Sequence, residues 1–273
     1  MCGLAGFIAP RGGSDLEQTA RRMNDAIVHR GPDSAGQWCD RDVGLGLGHR
    51  RLSILDLSPA GHQPMVSAGG RFVIAFNGEV YNHLELRREL EAARAAPEWK
   101  GHSDTETLLA CFEAWGCAEA VPRFAGMFAI AVYDRSERML WLIRDRFGEK
   151  PLYYGWQGHC FLFGSELKAL RAHPEFQGVM DPHAAGRMLR YSYVPAPLSI
   201  YRDIRKLEPA HLMAVPCAGM PARHWPTPRP YWSPAAQVES GLDQPVPDAA
   251  GAIDALETRL RATVAEQMVS DVP

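Results

Sequence analysis

From Met127 to Gly164 the chain reads MFAIAVYDRSERMLWLIRDRFGEKPLYYGWQGHCFLFG. Met127 to Asp134 and Arg138 to Arg144 are strand-like runs split by the polar turn Arg135-Ser136-Glu137, which is the pattern of a hairpin. Pro151 to Trp156 and Cys160 to Gly164 repeat it. Working outward, Cys2 to Ala9 is short, mostly apolar and strand-sized. Phe72 to Tyr81 is strand-like and interrupted by Asn77-Gly78, the best short hairpin signal because both residues tolerate positive φ. Leu16, Ala20, Met23 and Ile27 recur at helical spacing, which predicts a helix over 15–28. Ser103-Asp104-Thr105-Glu106 has the capping-box form, with Leu108, Cys111, Phe112 and Trp115 as an apolar stripe behind it, so a second helix starts near Asp104. Antiparallel hairpins mixed with helices predict an α+β fold built on sheets.

Composition changes after that. Eleven of the 21 prolines fall between Pro195 and Pro247, so sustained regular structure is not expected there, although Ser199 to Val215 has room for short edge strands. Residues 216–247 read as a Pro-rich linker or wrapping segment. Behind it, Ile253, Leu256, Leu260 and Val264 form a helical stripe that needs a partner surface. The sequence stops at Ser270-Asp271-Val272-Pro273. The expected organisation is one domain over 1–215, the linker over 216–247, and over 248–273 the first helix of a further domain.

The 273 residues fit about two domains at roughly 150 residues each. Net charge is 29 minus 32, or −3, without the basic surplus that nucleic-acid or membrane binding requires. The longest fully apolar run, Met127 to Tyr133, falls far short of the ~18 residues that suggest a membrane span. No basic, then apolar, leader opens the chain. Cys2, Cys39, Cys111, Cys117, Cys160 and Cys217 are irregularly spaced with no C-x-x-C pair, which argues against a metal site or a disulfide framework and for a reducing cytoplasm.

Most of those cysteines read as small buried apolar residues. Cys2 differs, since the second position is a poor place to bury anything. Removal of Met1 would set its thiol, with an ordinary pKa of ~8.5, beside its own α-amine at roughly 7.7–8.0. An amine titrating there accepts the thiol proton and returns one to a leaving group. Further words accompany it: Met1-Cys2-Gly3-Leu4-Ala5-Gly6, His29-Arg30-Gly31-Pro32-Asp33, Arg51-Leu52-Ser53-Ile54-Leu55-Asp56, Asn77-Gly78-Glu79-Val80-Tyr81-Asn82, Ser103-Asp104-Thr105-Glu106, and Arg144 to Tyr154 leading to Ser165-Glu166-Leu167-Lys168.

In this order, over residues 2–215, they resemble the class II glutamine amidotransferase domain of glutamine-hydrolysing asparagine synthetases. The resemblance implies an N-terminal-nucleophile hydrolase fold, an αββα four-layer sandwich with antiparallel sheets. It also implies roles. Cys2 attacks the side-chain amide of L-glutamine, a γ-glutamyl thioester forms, ammonia leaves, and water releases glutamate. The Asn77 amide and the Gly78 backbone N–H form the oxyanion hole, aimed together by a tight turn. Arg51 binds the α-carboxylate, a task suited to a guanidinium fork. Asp104 binds the α-ammonium, and it is equally a first-turn acid favoured by the helix dipole. Leu52, Ser53, Ile54 and Glu79 line the glutamine pocket. Asp145, Lys150 and the His29–Asp33 loop carry no assigned catalytic role.

Neither a G-x-x-x-x-G-K-[ST] loop nor an S-G-G-x-D-S pyrophosphate word occurs. No cofactor is therefore expected in this chain, with ATP and Mg reserved for a synthetase domain beyond residue 273, the expected partner that receives the ammonia. Whether copies of the chain associate is left open. Two other readings stand beside this one: the same glutaminase serving another acceptor such as a sugar acid, and an inactive amidotransferase-like binding module.

Overall fold

In the computed structural model, which describes residues 2–9, 15–54, 56–218, 223–243 and 248–268, twelve strands fall into two antiparallel sheets. They are β1 (Gly3–Ile8), β2 (Ser34–Asp40), β3 (Leu45–Arg51), β4 (Met65–Val66), β5 (Phe72–Val80), β6 (Gly126–Asp134), β7 (Met139–Arg144), β8 (Tyr153–Gln157), β9 (Cys160–Gly164), β10 (Ile204–Lys206), β11 (His211–Pro216) and β12 (Arg229–Pro230). The first sheet runs β10-β8-β9-β1-β3-β2 and the second β12-β11-β7-β6-β5-β4. Both predicted hairpins are present, β6–β7 and β8–β9, one in each sheet. The helices are α1 (Leu16–Asp25), α2 (His83–Ala92), α3 (Asp104–Trp115), α4 (Cys117–Ala120), α5 (Leu167–Arg171), α6 (Pro182–Tyr191), α7 (Pro234–Asp243) and α8 (Ala249–Gln267).

Alternation along each strand sends side chains to both faces, so every sheet needs two covers. Leu4, Leu45, Leu47, Val73, Ala75, Ala129, Ala131 and Phe163 fill the space between the sheets. On the outer side of the second sheet, Phe72, Ile74, Phe76 and Ile130 pack on Leu86, Leu90, Leu108 and Phe112 of α2 and α3. On the outer side of the first, Ala5, Phe7 and Leu162 pack on Leu16, Ala20, Met23 and Leu170 of α1 and α5. The result is the four-layer αββα sandwich implied by the resemblance. Cys111, Cys117, Cys160 and Cys217 are buried, and all six cysteines are free thiols. Among the described residues no helix is long and apolar enough to cross a membrane.

Several expectations need correction. The predicted helix over 15–28 ends at Asp25, and the chain tightens into a single 3₁₀ turn at Val28–Arg30. Residues 216–247 are not wholly irregular. Pro234 occupies the first turn of α7, where its missing N–H costs nothing, and no proline follows before Pro245. Within Ser199 to Val215, β10 is a short edge strand as expected, whereas β11 is internal, between β7 and β12. Asn77-Gly78 makes no turn: β5 runs straight through it, with Asn77 opposite Ala129 and Gly78 opposite Phe128 on β6. Gly78 is there because the neighbouring strand is close, since a Cβ at this position would collide with the carbonyl of Met127. α8 forms as predicted, and its stripe at Ile253, Leu256, Leu260 and Val264 is exposed. The Ser270–Pro273 ending lies outside the described residues.

Three histidines, His49, His83 and His173, are buried. Burial lowers their pKa values to about 3, about 4 and about 4. All three are neutral in the folded chain, while the unfolded chain takes up a proton on each below ~6.5. Stability is therefore complete above that value and is lost as pH falls, at roughly 1.4 kcal/mol per pH unit per histidine. Asp104, raised by burial to about 6, works in the opposite direction but is outnumbered. Urea unfolding at pH 7 and pH 5 should show a loss of at least about 2 kcal/mol at the lower pH. An unchanged unfolding free energy would contradict the neutral burial of these rings.

Candidate active site

Cys2 stands immediately before β1, and its place is set by three neighbours. Strand register puts Gly3 opposite Arg50 on β3. The Arg30 Nε donates to the Cys2 carbonyl at 2.9 Å, while its Nη1 reaches Glu166 Oε1 at 2.8 Å. The Leu52 backbone N–H lies 3.4 Å from the Cys2 sulfur, and the thiol contacts the Leu52 carbonyl at the same distance. Burial pushes the thiol above its ordinary pKa, opposed by the hydrogen bonding at Leu52. An isolated Cys2 would therefore be a poor nucleophile at neutral pH, and a base beside it is needed to activate it.

The second wall is the outer edge of β5. β4 covers this edge only at Val73 and Ile74. Beyond it, side chains replace the missing strand. The Phe76 N–H donates to Gln63 Oε1 at 2.7 Å, and the Val80 N–H donates to Asp104 Oδ2 at 2.9 Å. Backbone N–H groups alternate direction along an antiparallel strand. Gly78, midway between these two, thus aims its N–H to the same side, away from β6 and into the pocket. Next to it, the side-chain nitrogen of Asn77 is buried without a hydrogen-bond partner among the described residues. An unsatisfied buried donor is costly to keep, so its retention marks a place prepared for an acceptor.

Two further bonds pin this edge. His49 on β3 donates from Nε2 to the Phe76 carbonyl at 2.8 Å. That acceptor fixes the tautomer with the proton on Nε2. Gln63 Nε2 donates to Thr105 Oγ1 at 3.2 Å. Phe76 is thus held at both its N–H and its C=O, one residue before Asn77. Asp104 begins α3 behind the Ser103 cap, whose hydroxyl accepts from the Glu106 N–H at 3.4 Å. The reciprocal half of the capping box is not made: Glu106 instead accepts from the backbone N–H groups of Lys100 and Gly101 at 2.7 and 3.0 Å. Burial raises the Asp104 carboxyl to about 6, against the backbone hydrogen bonds from Val80 and Thr105.

One pocket gathers Cys2, Arg51, Leu52, Ile54, Asn77, Gly78, Glu79 and Asp104. Ser53 is not among its lining residues; its N–H donates to Asp33 Oδ2 at 2.8 Å. Arg51 presents its guanidinium to the carbonyls of Asp56 and Ser58, the latter at 3.2 Å from Nη1. Sequence reasoning missed Gln63 and Lys150, which also line the pocket. Lys150 is buried, its N–H held by Asp145 Oδ2 at 3.0 Å. The Asp145 carboxylate, with no solvent exposure, accepts three more backbone N–H bonds, from Phe128, Phe147 and Glu149. The Glu79 carboxyl is raised by burial, and the nearby Lys150 works against that rise. Among the described residues, no cluster of three or more histidines, cysteines or carboxylates is placed to hold a metal ion.

The pocket thus joins a thiol, two N–H donors, a guanidinium and a buried carboxylate. A description of the glutamine amidotransferase domain matches residues 1–232. Asparagine synthetase [glutamine-hydrolyzing] 3 of Bacillus subtilis is 33% identical over 278 residues, spanning 100% of this chain and 42% of that protein. Asparagine synthetase [glutamine-hydrolyzing] 1 of the same organism is 38% identical over 213 residues, 77% of this chain and 32% of that protein. The chain therefore spans less than half the length of these curated relatives. In fold it is similar to the glutamine phosphoribosylpyrophosphate amidotransferase of Bacillus subtilis, with a TM-score of 0.61, 16% identity, and coverage of 85% of this chain and 49% of that one.

The Gln63 bridge can be tested without any assay of activity. Gln63→Leu keeps the bulk but leaves the buried Phe76 N–H unpaired, at a cost of about 1–3 kcal/mol. Chemical denaturation should read that loss, and wild-type stability in the variant would remove Gln63 from its bridging role.

Proposed function

The chain belongs to the glutamine amidotransferase domain family, and from that premise we propose that it hydrolyses L-glutamine to glutamate and ammonia, with Cys2 as nucleophile. The observation carrying this reading is the unpartnered Asn77 amide nitrogen in the same pocket as the Cys2 sulfur. Once Met1 is removed, the α-amine of Cys2 takes the thiol proton, and the sulfur attacks the carboxamide carbon. Negative charge develops on the amide oxygen, where the Asn77 Nδ2–H and the Gly78 N–H await it. The amine then protonates the departing ammonia, leaving a γ-glutamyl thioester. Water attacks that thioester, and glutamate leaves as the thiol is restored.

Recognition of free glutamine, as opposed to a protein-bound side chain, falls to the charged ends. Arg51 takes the α-carboxylate, and Asp104 takes the α-ammonium with Glu79 close by. Leu52 and Ile54 pack along the methylene stem. The full-length relatives are named as asparagine synthetases, which supports an ATP-dependent synthetase domain beyond residue 273 as the consumer of the ammonia and aspartate as the acceptor. The bare stripe of α8 suits a surface of that domain. Six free thiols favour a cytoplasmic setting.

Cys2→Ala should abolish glutamate release, and release at the wild-type rate would refute the nucleophile. Asn77→Ala should lower kcat by about 10²–10³. Arg51→Lys should act chiefly on KM, because it weakens binding that is much the same in ground and transition states. A kcat loss in Arg51→Lys with KM unmoved would place Arg51 elsewhere. Mass spectrometry of the purified chain should find Cys2 as the first residue. The Asp104 carboxyl titrates near 6, and only its ionised form attracts an ammonium. KM for glutamine should therefore rise as pH falls below that value, and a flat KM between pH 7.5 and 5 would exclude Asp104 from the grip.

A further inference from the structure

Between Arg51 and the pocket mouth, residues 52–54 and 56–61 form a wall with no strand and only a 3₁₀ turn at Pro59–Gly61. Such a segment has no ladder to hold it. Asp56 is its buried point, with no solvent exposure and a φ of 54°. Its carboxylate accepts from the His102 N–H at 3.0 Å, the Ser58 N–H at 3.1 Å and the Ser58 hydroxyl. Its own carbonyl and that of Ser58 receive the Arg51 guanidinium. Two glycines leave the space for this arrangement. A Cβ on Gly61 would strike the Arg51 guanidinium, and one on Gly101 would strike the Asp56 carboxylate.

His102 lies two residues before Asp104, on the segment that leads into the Ser103 cap. Asp56 therefore touches both supports of the site: its backbone and its neighbour hold Arg51, and its side chain holds the lead-in to Asp104. We propose that Asp56 is a positioning residue that fixes the separation between the Arg51 guanidinium and the Asp104 carboxylate, and thereby sets selectivity for a substrate carrying both an α-carboxylate and an α-ammonium. This rests on the reading of the pocket as a glutamine site. Asp56 touches no reacting atom. Its carboxylate acts through the loop carbonyls on Arg51 and through His102 on the start of α3.

The left-handed backbone at Asp56 by itself could be supplied by glycine, so the carboxylate and the turn can be separated. Asp56→Gly keeps the turn and deletes the carboxylate. Asp56→Asn also tolerates the turn and keeps an acceptor toward Ser58, but it can offer His102 an amide group in place of a carboxylate oxygen. The readout is hydrolysis of two amides by the full chain: glutamine, and 4-aminobutanamide, which is glutamine without its α-carboxylate.

Asp56→Gly should raise KM for glutamine about tenfold or more with kcat held within about threefold, and Asp56→Asn should fall between it and wild type. For 4-aminobutanamide, which still depends on Asp104 but not on Arg51, kcat/KM should fall by much less than for glutamine in both variants, so the preference for glutamine narrows. Should Asp56→Gly fail to accumulate as folded protein, Asp56→Asn reads the same shift in preference at smaller amplitude. Unchanged KM for glutamine, or an equal loss on both amides, overturns the positioning role while leaving the glutaminase intact. A wild-type chain that hydrolyses neither amide overturns the glutaminase reading first, and this inference with it.

Discussion

Beneath the pocket a hydrogen bond joins the two sheets, and elsewhere the Tyr133 hydroxyl on β6 donates to Asp40 on β2 at 3.2 Å. The His49 imidazole leaves β3 in the first sheet and donates to the Phe76 carbonyl on β5 in the second, at 2.8 Å. Packed sheets meet mostly through apolar side chains, which tolerate small sliding motions. A directional bond between a buried neutral ring and a buried carbonyl does not. Two residues along β3 from His49, on the same face, comes Arg51, and one residue along β5 from Phe76 comes Asn77. The distance between Arg51 and Asn77, proposed to hold a carboxylate and to meet an oxyanion, is thus set by one bond and two strand registers. Burial lowers the imidazole pKa to about 3, which keeps the ring neutral under ordinary conditions.

The loops around the pocket are held in a different way. Asp145 and Asp56 are both fully buried carboxylates that accept backbone N–H groups from turns. A charged acceptor forms stronger bonds than a neutral one and can satisfy several donors at once. Asp145 gathers four N–H groups and in doing so shapes the turn that presents Lys150. Gly148, with a φ of 67°, supplies the left-handed step in that turn. Both carboxylates accept from several peptide N–H groups, as in an anion-binding nest, and the His102 ring nitrogen lies 3.8 Å from the Asp56 carboxylate.

Much of this was legible in the residues. The β6–β7 and β8–β9 hairpins and the start of α3 follow from words close together in sequence, and the grouping of Cys2, Arg51, Asn77, Gly78 and Asp104 is implied by the family resemblance. What was not legible depended on distant partners. Asn77-Gly78 carries the local signature of a turn, but the pairing of β5 with β6 overrides it, and the glycine serves close strand approach. His49 reads as an incidental neighbour of Arg51 until β5 is placed opposite it. Gln63 has no motif, because its amide completes an edge left bare where β4 ends. Glu106 fits the capping-box spacing, yet two N–H groups from residues 100–101 claim its carboxylate. The α7 helix hides in a proline-rich tract because proline spacing, not total proline content, decides whether a helix fits between Pro234 and Pro245.

The pocket is assembled from parts of unequal cohesion. Asn77 and Gly78 belong to a long strand paired along its whole length with β6, whereas Arg51 leans on a short irregular loop fastened by a few polar contacts. Segments of the second kind open at lower free energy than the strands of a core. On gentle heating, the proposed grip of Arg51 on the charged end of a substrate should therefore slacken while the proposed oxyanion donors remain in place. Affinity and turnover would then have separate melting points within one domain, the first set by a loop and the second by the sandwich as a whole.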